Sequence, residues 1–167
     1  MQNFKNLYIE LAEKINQNLP EIEWIDLWHS QVYNLAEEHP FPTPAVFLAF
    51  RSAGIKNIGI KVQQVTLQVD VFLFFETFTD TYKGGINQDE ALSFLDSMDG
   101  INKVLHGSSG ENYSSMSRKS FSPLDTGGSS NLYMMTYECL LMDYSANVPD
   151  GEGTFADMEV ERFIVEP

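Results

Sequence analysis

The sequence predicts an α+β fold, a mainly antiparallel β-sheet with two amphipathic helices packed on one face, in the order α-β-β-β-α-β-β. Three observations carry that expectation. The stretch from Gln63 to Glu76 alternates almost without error, with Val65, Leu67, Val69, Val71, Leu73 and Phe75 on one side and Gln64, Thr66, Gln68 and Asp70 on the other. A period of two places successive side chains on opposite sheet faces, so this is one long strand with a buried and a wetted face. Two segments with apolar residues at helical spacing lie on either side of a group of strands. The links among the early strands are short, which favours antiparallel pairing and helices gathered on one face.

Taken along the chain, Phe4, Leu7, Tyr8, Leu11 and Ile15 recur at helical spacing opposite Glu10, Glu13 and Lys14. They predict an amphipathic helix over about residues 3–18, stopped by Pro20. Trp24-Ile25-Asp26-Leu27-Trp28 reads as a short strand, with Trp24, Asp26 and Trp28 on one side. Prolines 40, 42 and 44 push the residues before them toward extended backbone, giving a stiff lead-in to a strand at Ala45–Phe50. Ser52-Ala53-Gly54 reads as a turn into the long strand, which begins no earlier than Ile58. At the far end of that strand the wetted face turns apolar, at Phe72 and Phe74. That end is therefore expected to be covered on both sides, by a partner or a second layer.

Past a polar loop holding Gly84-Gly85, Asn87 followed by Glu90 has the spacing of a capping box. Ala91, Leu92, Leu95, Met98, Ile101 and Leu105 predict the second helix, weakened inside by Gly100 and stopped at Gly107. Residues 116–121 and 131–144 read as the last two strands of the sheet. The second of these carries apolar residues on both faces, as a strand in mid-sheet does. Residues 1–146 form one α+β domain in this reading. Residues 147–167 form an acidic arm or edge strand, with Met158–Val165 as its extended part.

The bulk numbers fit one domain of 167 residues with 43% hydrophobic content and a formal net charge of −14. With only ten Lys and Arg residues, specific nucleic-acid binding is not expected, since phosphate affinity is built mainly from such cations. The acids concentrate late: Glu138, Asp143, Asp150, Glu152, Asp157, Glu159, Glu161 and Glu166 face Arg162. A solvated, solubilising surface explains them. The single cysteine, Cys139, excludes an internal disulfide and falls in an apolar strand pattern, where a thiol acts as a small hydrophobe. The first nineteen residues contain no signal-peptide pattern, and no apolar run is long enough to span a bilayer.

No set of residues spells out a reaction. His29, His39 and His106 have no second ligand at metal spacing, and His106 beside Ser108 and Ser109 lacks a Gly-x-Ser-x-Gly elbow. Gly127-Gly128-Ser129-Ser130 lacks the lysine of a phosphate loop. Residues 143–154 have Val148 and Thr154 where a calcium loop needs Gly and Glu. A weak cation site at Asp150, Glu152 and Asp157 has no further support. The sequence thus predicts no catalytic residue, no metal, no cofactor and no enzyme.

The order of elements resembles the tail-terminator (tail-completion) proteins of long-tailed bacteriophages and prophages. The residues that carry the resemblance are the N-terminal amphipathic helix, the Pro-flanked strand Phe41-Pro42-Thr43-Pro44-Ala45-Val46-Phe47-Leu48, and the alternating strand Val65–Phe75. After them come the helix with Leu95-Asp96 and Ile101 through Leu105-His106-Gly107, and the late strand Leu132–Tyr144 behind a Gly/Ser-rich loop. It covers most of residues 1–145, while the length beyond Asn147 and the pair Trp24 and Trp28 depart from the pattern. The resemblance implies a homohexameric ring that caps the tail tube, ends its polymerisation and offers a docking face to the head-tail connector. It implies a place in the virion tail or neck after assembly in the host cytoplasm, with no membrane, and with DNA passing an acidic lumen. Trp24, Trp28, Phe72 and Phe74 are the candidate subunit interface. The other reading is a small α+β ligand-binding protein or enzyme with a pocket between sheet and helices, lined by Phe72, Phe74, Tyr133, Met135 and Tyr137.

Overall fold

Strand alternation and helical periodicity do organise the chain as an α+β domain. In the computed structural model, described over residues 4–33, 41–76, 80–128 and 130–147, helix α1 (Phe4–Asn18) leads into strand β1 (Trp24–Leu27) and a 3-10 turn (Gln31–Tyr33). Strands β2 (Ala45–Gly59) and β3 (Val62–Phe75), helices α2 (Gln88–Ala91) and α3 (Ser93–Leu105), and strands β4 (Ser117–Leu124) and β5 (Asn131–Asp143) follow. The five strands form one sheet in the order β1-β2-β3-β5-β4. All pairings are antiparallel except β1 with β2, which run parallel from Trp24 opposite Ala45 to Leu27 opposite Leu48. Short links therefore do not govern the first pair: residues 28–44 provide the long crossover that parallel neighbours need. β5 lies inside the sheet, as its two apolar faces require.

One face of the sheet carries the main core. Leu7, Leu11 and Ile15 of α1 and Phe94, Met98, Ile101 and Leu105 of α3 close over Val65, Leu67, Val69, Val71 and Leu73, joined by Met135, Tyr137, Cys139 and Leu141 of β5. The alternation of β3 is realised as expected, and Leu67 is 1% exposed. The second helix differs from its sequence reading. It breaks at Leu92, and α3 starts afresh at Ser93, so the helical phase resets. Phe94 takes the buried place, and Leu95 is left 43% exposed. Asn87 begins α2, but its side chain makes no capping bond and instead donates from Nδ2 to Asp80 Oδ2 at 3.4 Å. Gly100 marks where α3 meets Leu19: a Cβ there would lie 2.7 Å from Leu19 Cδ2.

The opposite face is sealed only at one end. Ala45, Phe47, Phe72, Phe74 and Leu132 form a second cluster with Val32, flanked by Trp28, Phe41, Ala49, Leu124 and Met134. The rest of that face is mostly polar, with Leu140 of β5, opposite Thr66, 39% exposed. Its Asp70 was expected to be wetted, yet it is 3% exposed. Arg51 Nε lies 2.6 Å from Asp70 Oδ2, and Thr136 Oγ1 donates to Asp70 Oδ1 at 2.7 Å, so the buried carboxylate is satisfied as such groups must be.

Three boundaries shift. Ser52-Ala53-Gly54 is no turn: β2 runs straight on through a register shift between Ser52 and Gly54. The bulge leaves Ala53 without a partner in the register and pairs Gly54 with Thr66, and the chain reverses at Ile60-Lys61, where Lys61 has φ +58°. β3 then begins at Val62, and the fourth strand is Ser117–Leu124 instead of 116–121. His39, the candidate cation site at Asp150, Glu152 and Asp157, and the arm from 148 onward lie outside the described residues.

Candidate interaction surface

The four aromatic residues singled out from the sequence separate into two groups. Trp24, on edge strand β1, is 42% exposed. Trp28, Phe72 and Phe74 are packed within the chain. Trp28 stacks on Phe72 with ring centroids 4.0 Å apart and planes 8° from parallel, and it meets Phe47 edge-on at 6.0 Å. Phe41 closes the other side, edge-on to Phe47 at 5.1 Å and to Phe74 at 5.7 Å. Phe72 is 6% and Phe74 1% exposed. The apolar end of the outer face is thus covered by the chain's own crossover, and neither phenylalanine is free for another subunit. Covering aromatic faces with aromatic faces stabilises beyond area alone.

The residues offered for an internal pocket are likewise parted. Tyr133, Met135 and Tyr137 belong to the helix-side core, whereas Phe72 and Phe74 belong to the opposite cluster, so the five do not line one cavity. What exists between the helices is an open groove of about 460 Å³, bordered by Lys14, Asn18, Leu19, Gly100, Lys103 and Ser108. Lys14 is committed to the wall of that groove: its Nζ donates to Ser109 O at 3.0 Å and to the Tyr113 hydroxyl, and it sits 4.8 Å from the Tyr113 ring centroid. The neighbouring loop is held by Glu10, whose carboxylate accepts the backbone N–H groups of Glu111 and Asn112 at 2.9 and 3.0 Å.

Histidine and serine near the end of α3 do not form a pair. His106 Nδ1 accepts the Arg118 N–H at 3.1 Å, while Ser108 Oγ donates to Leu105 O and shares a hydrogen bond with the Tyr113 hydroxyl. Among the described residues, no three His, Cys, Asp or Glu side chains gather in a metal-binding arrangement. Cys139 is buried, and burial, aided by Glu138, pushes its thiol up to about 11, far from a reactive thiolate. Among the described residues no helix is long and apolar enough to cross a membrane.

The feature that the sequence reading passed over is the outer half of the β2–β3 hairpin. β1 pairs with β2 only as far as Leu48, whereas β5 flanks β3 from Gln63 to Phe75, so the open part is the β2 edge and the turn. Every residue from Arg51 to Lys61 is exposed, including Ile55 at 58%, Ile58 at 46% and Ile60 at 89%. Lys56 and Lys61 stand among them, and no acidic residue occurs anywhere from His39 to Val69. In a chain of net charge −14, this exposed edge and turn is both apolar and locally cationic. The signal was present: apolar residues keep recurring through Ile55, Ile58 and Ile60, past the place where a turn was expected.

No protein-family model matches the chain, and no curated protein matches it.

Proposed function

We propose that this protein is a structural ring subunit that caps a bacteriophage tail tube, ends its growth and presents a docking face to the head-tail connector. The observation that carries the reading is the exposed hairpin of β2 and β3. Three isoleucines on its β2 edge and turn are left exposed among the described residues, and exposed apolar groups gathered at one place mark protein-contact sites. The order of elements supports it, because α1, the Pro-flanked β2, the long alternating β3, the later helix and β5 are the parts that resemble tail terminators. Identical subunits meeting through two different surfaces close into a ring when the rotation allows, and a homohexamer suits that use. The partners are the tail tube protein and the connector, in the virion tail or neck. The excess of acids would let DNA pass the lumen without adhering. The chemistry is geometric in this reading, with no catalytic step. The pocket reading has less support, since its lining residues lie on opposite faces of the sheet.

Electron microscopy of the cognate tail tube assembled with and without the protein tests the proposal. Tubes of defined length bearing a terminal ring are expected. Tubes that grow on, uncapped, at saturating protein would overturn it.

A further inference from the structure

We propose that the tip of the β2–β3 hairpin docks on a second copy of this chain, against the outer face of α3. The proposal rests on the ring reading only for its head-to-tail geometry; the surfaces themselves are read from the molecule. The hairpin tip is exposed from Arg51 to Lys61, and among the described residues its outer strand has no ladder partner on its far side from Ala49 to Gly59. Lysines on a free edge can serve simply to block unwanted strand pairing. Isoleucines 58, 46 and 89% exposed at positions 55, 58 and 60 do the opposite, and their presence calls for a cover.

The choice of occupant follows from charge. All acids of the chain lie outside residues 39–69, so the body of another copy is the acidic partner that Lys56 and Lys61 fit. On that body, α3 turns outward an apolar residue flanked by carboxylates. Leu95 is 43% exposed, with Asp96 and Asp99 exposed beside it. Leu95 and Asp99 share one side of the helix at a spacing of four. An apolar centre with complementary charges around it is the usual build of a specific interface, the charges fixing partner and register. Tip and acceptor are different surfaces, so the contact is heterologous and propagates from copy to copy.

The test is disulfide trapping with purified protein. Ile60→Cys and Leu95→Cys are made in separate preparations, both at exposed positions, and the native Cys139 is 3% exposed and so is not expected to compete. Oxidising the mixture should give a cross-linked pair well above that from Ile60→Cys mixed with a control cysteine at exposed Tyr33. Adding Lys56→Glu and Lys61→Glu to the tip should lower the yield about tenfold or more, because opposed like charges penalise contact. Adding Asp96→Lys and Asp99→Lys to the acceptor should then restore it. A yield no greater than the control, or one unmoved by charge reversal, would overturn the proposal. Tip variants that instead lose binding to duplex DNA or to anionic vesicles, with no copy-to-copy link, would also overturn it. Failed trapping with tube capping intact removes this contact and leaves the ring reading standing; trapping without capping does the reverse.

Discussion

Replacing Trp28 with Ala removes the cover of the outer cluster. Trp28 is largely but not fully buried, stacked on Phe72 and set edge-on to Phe47 and Tyr33. At about 25 cal/mol per Å², roughly 150 Å² of lost apolar burial corresponds to about 3.8 kcal/mol, reduced to about 3 kcal/mol because the unfolded chain already hides some of it. The stacked pair adds about 1 kcal/mol, so the expected loss is about 3–4 kcal/mol, near the low end for aromatic-to-alanine changes in cores. For a domain of this size that corresponds to a fall in melting temperature of roughly 6–15 °C. Urea unfolding followed by circular dichroism measures it, with Trp24→Ala as the control. Trp24 is 42% exposed on an edge strand and should cost under about 1 kcal/mol. Acrylamide should quench Trp24 freely and Trp28 little. Equal losses in the two variants, or a Trp28→Ala loss below about 1 kcal/mol, would refute the assignment of Trp28 as an internal cover and return Phe72 to the surface.

Leu67→Ala, in the middle of the helix-side core at 1% exposure, should cost about 2–5 kcal/mol, whereas Leu95→Ala should change stability by no more than about 0.5 kcal/mol; thermal melts distinguish the two. Glu10→Ala should cost about 1–3 kcal/mol by releasing two backbone donors of the 110–112 loop. Gly110→Ala should do similar damage, because its Cβ would fall on the Glu10 carboxylate. The double variant should be little worse than either single one, as a double-mutant cycle would show. Alkaline pH should destabilise the fold. Burial holds the Cys139 thiol up to about 11 and the Tyr137 hydroxyl up to about 12, so the unfolded chain releases each proton at a lower pH than the folded one. Stability is then complete below about pH 8.5 and falls through the range up to those values, by about 1.4 kcal/mol per unit for each group. Urea midpoints at stepped pH check this, and Cys139→Ala should remove the part of the slope that begins near pH 9.

The helix-side core was legible because β3 obeys a strict period of two, and a one-residue slip would put every valine and leucine of it in water. Phase was lost where local sequence is ambiguous. Leu92, Phe94 and Leu95 offer two apolar registers, and only the break before Ser93 selects Phe94. Gly54 has the look of punctuation because a glycine in a strand usually marks a bend, yet the ladder takes it in opposite Thr66 after a bulge at Ala53. The apolar outer positions Phe72 and Phe74 signalled correctly that something covers them. Periodicity cannot say whether that cover comes from the same chain, and here Trp28, more than forty residues earlier, provides it. The parallel pairing of β1 was likewise hidden, since it depends on the path of a crossover and not on any pattern within the strand. The candidate surface at Ile55–Lys61 was concealed by the misplaced turn.

β5 comes late in the chain yet sits next to the middle strand of the sheet. During synthesis β2 and β3 can zip together as soon as they emerge, because they adjoin in sequence. β3 must then wait, with one whole edge of backbone donors and acceptors open and its valines and leucines covered only by α1, until residues 131–143 follow. At roughly 5–20 residues per second that interval lasts several seconds. A nascent chain in that state is a template for pairing with its neighbours on the same message. Helix α3, made within the interval, supplies further apolar cover for β3 before its last partner arrives.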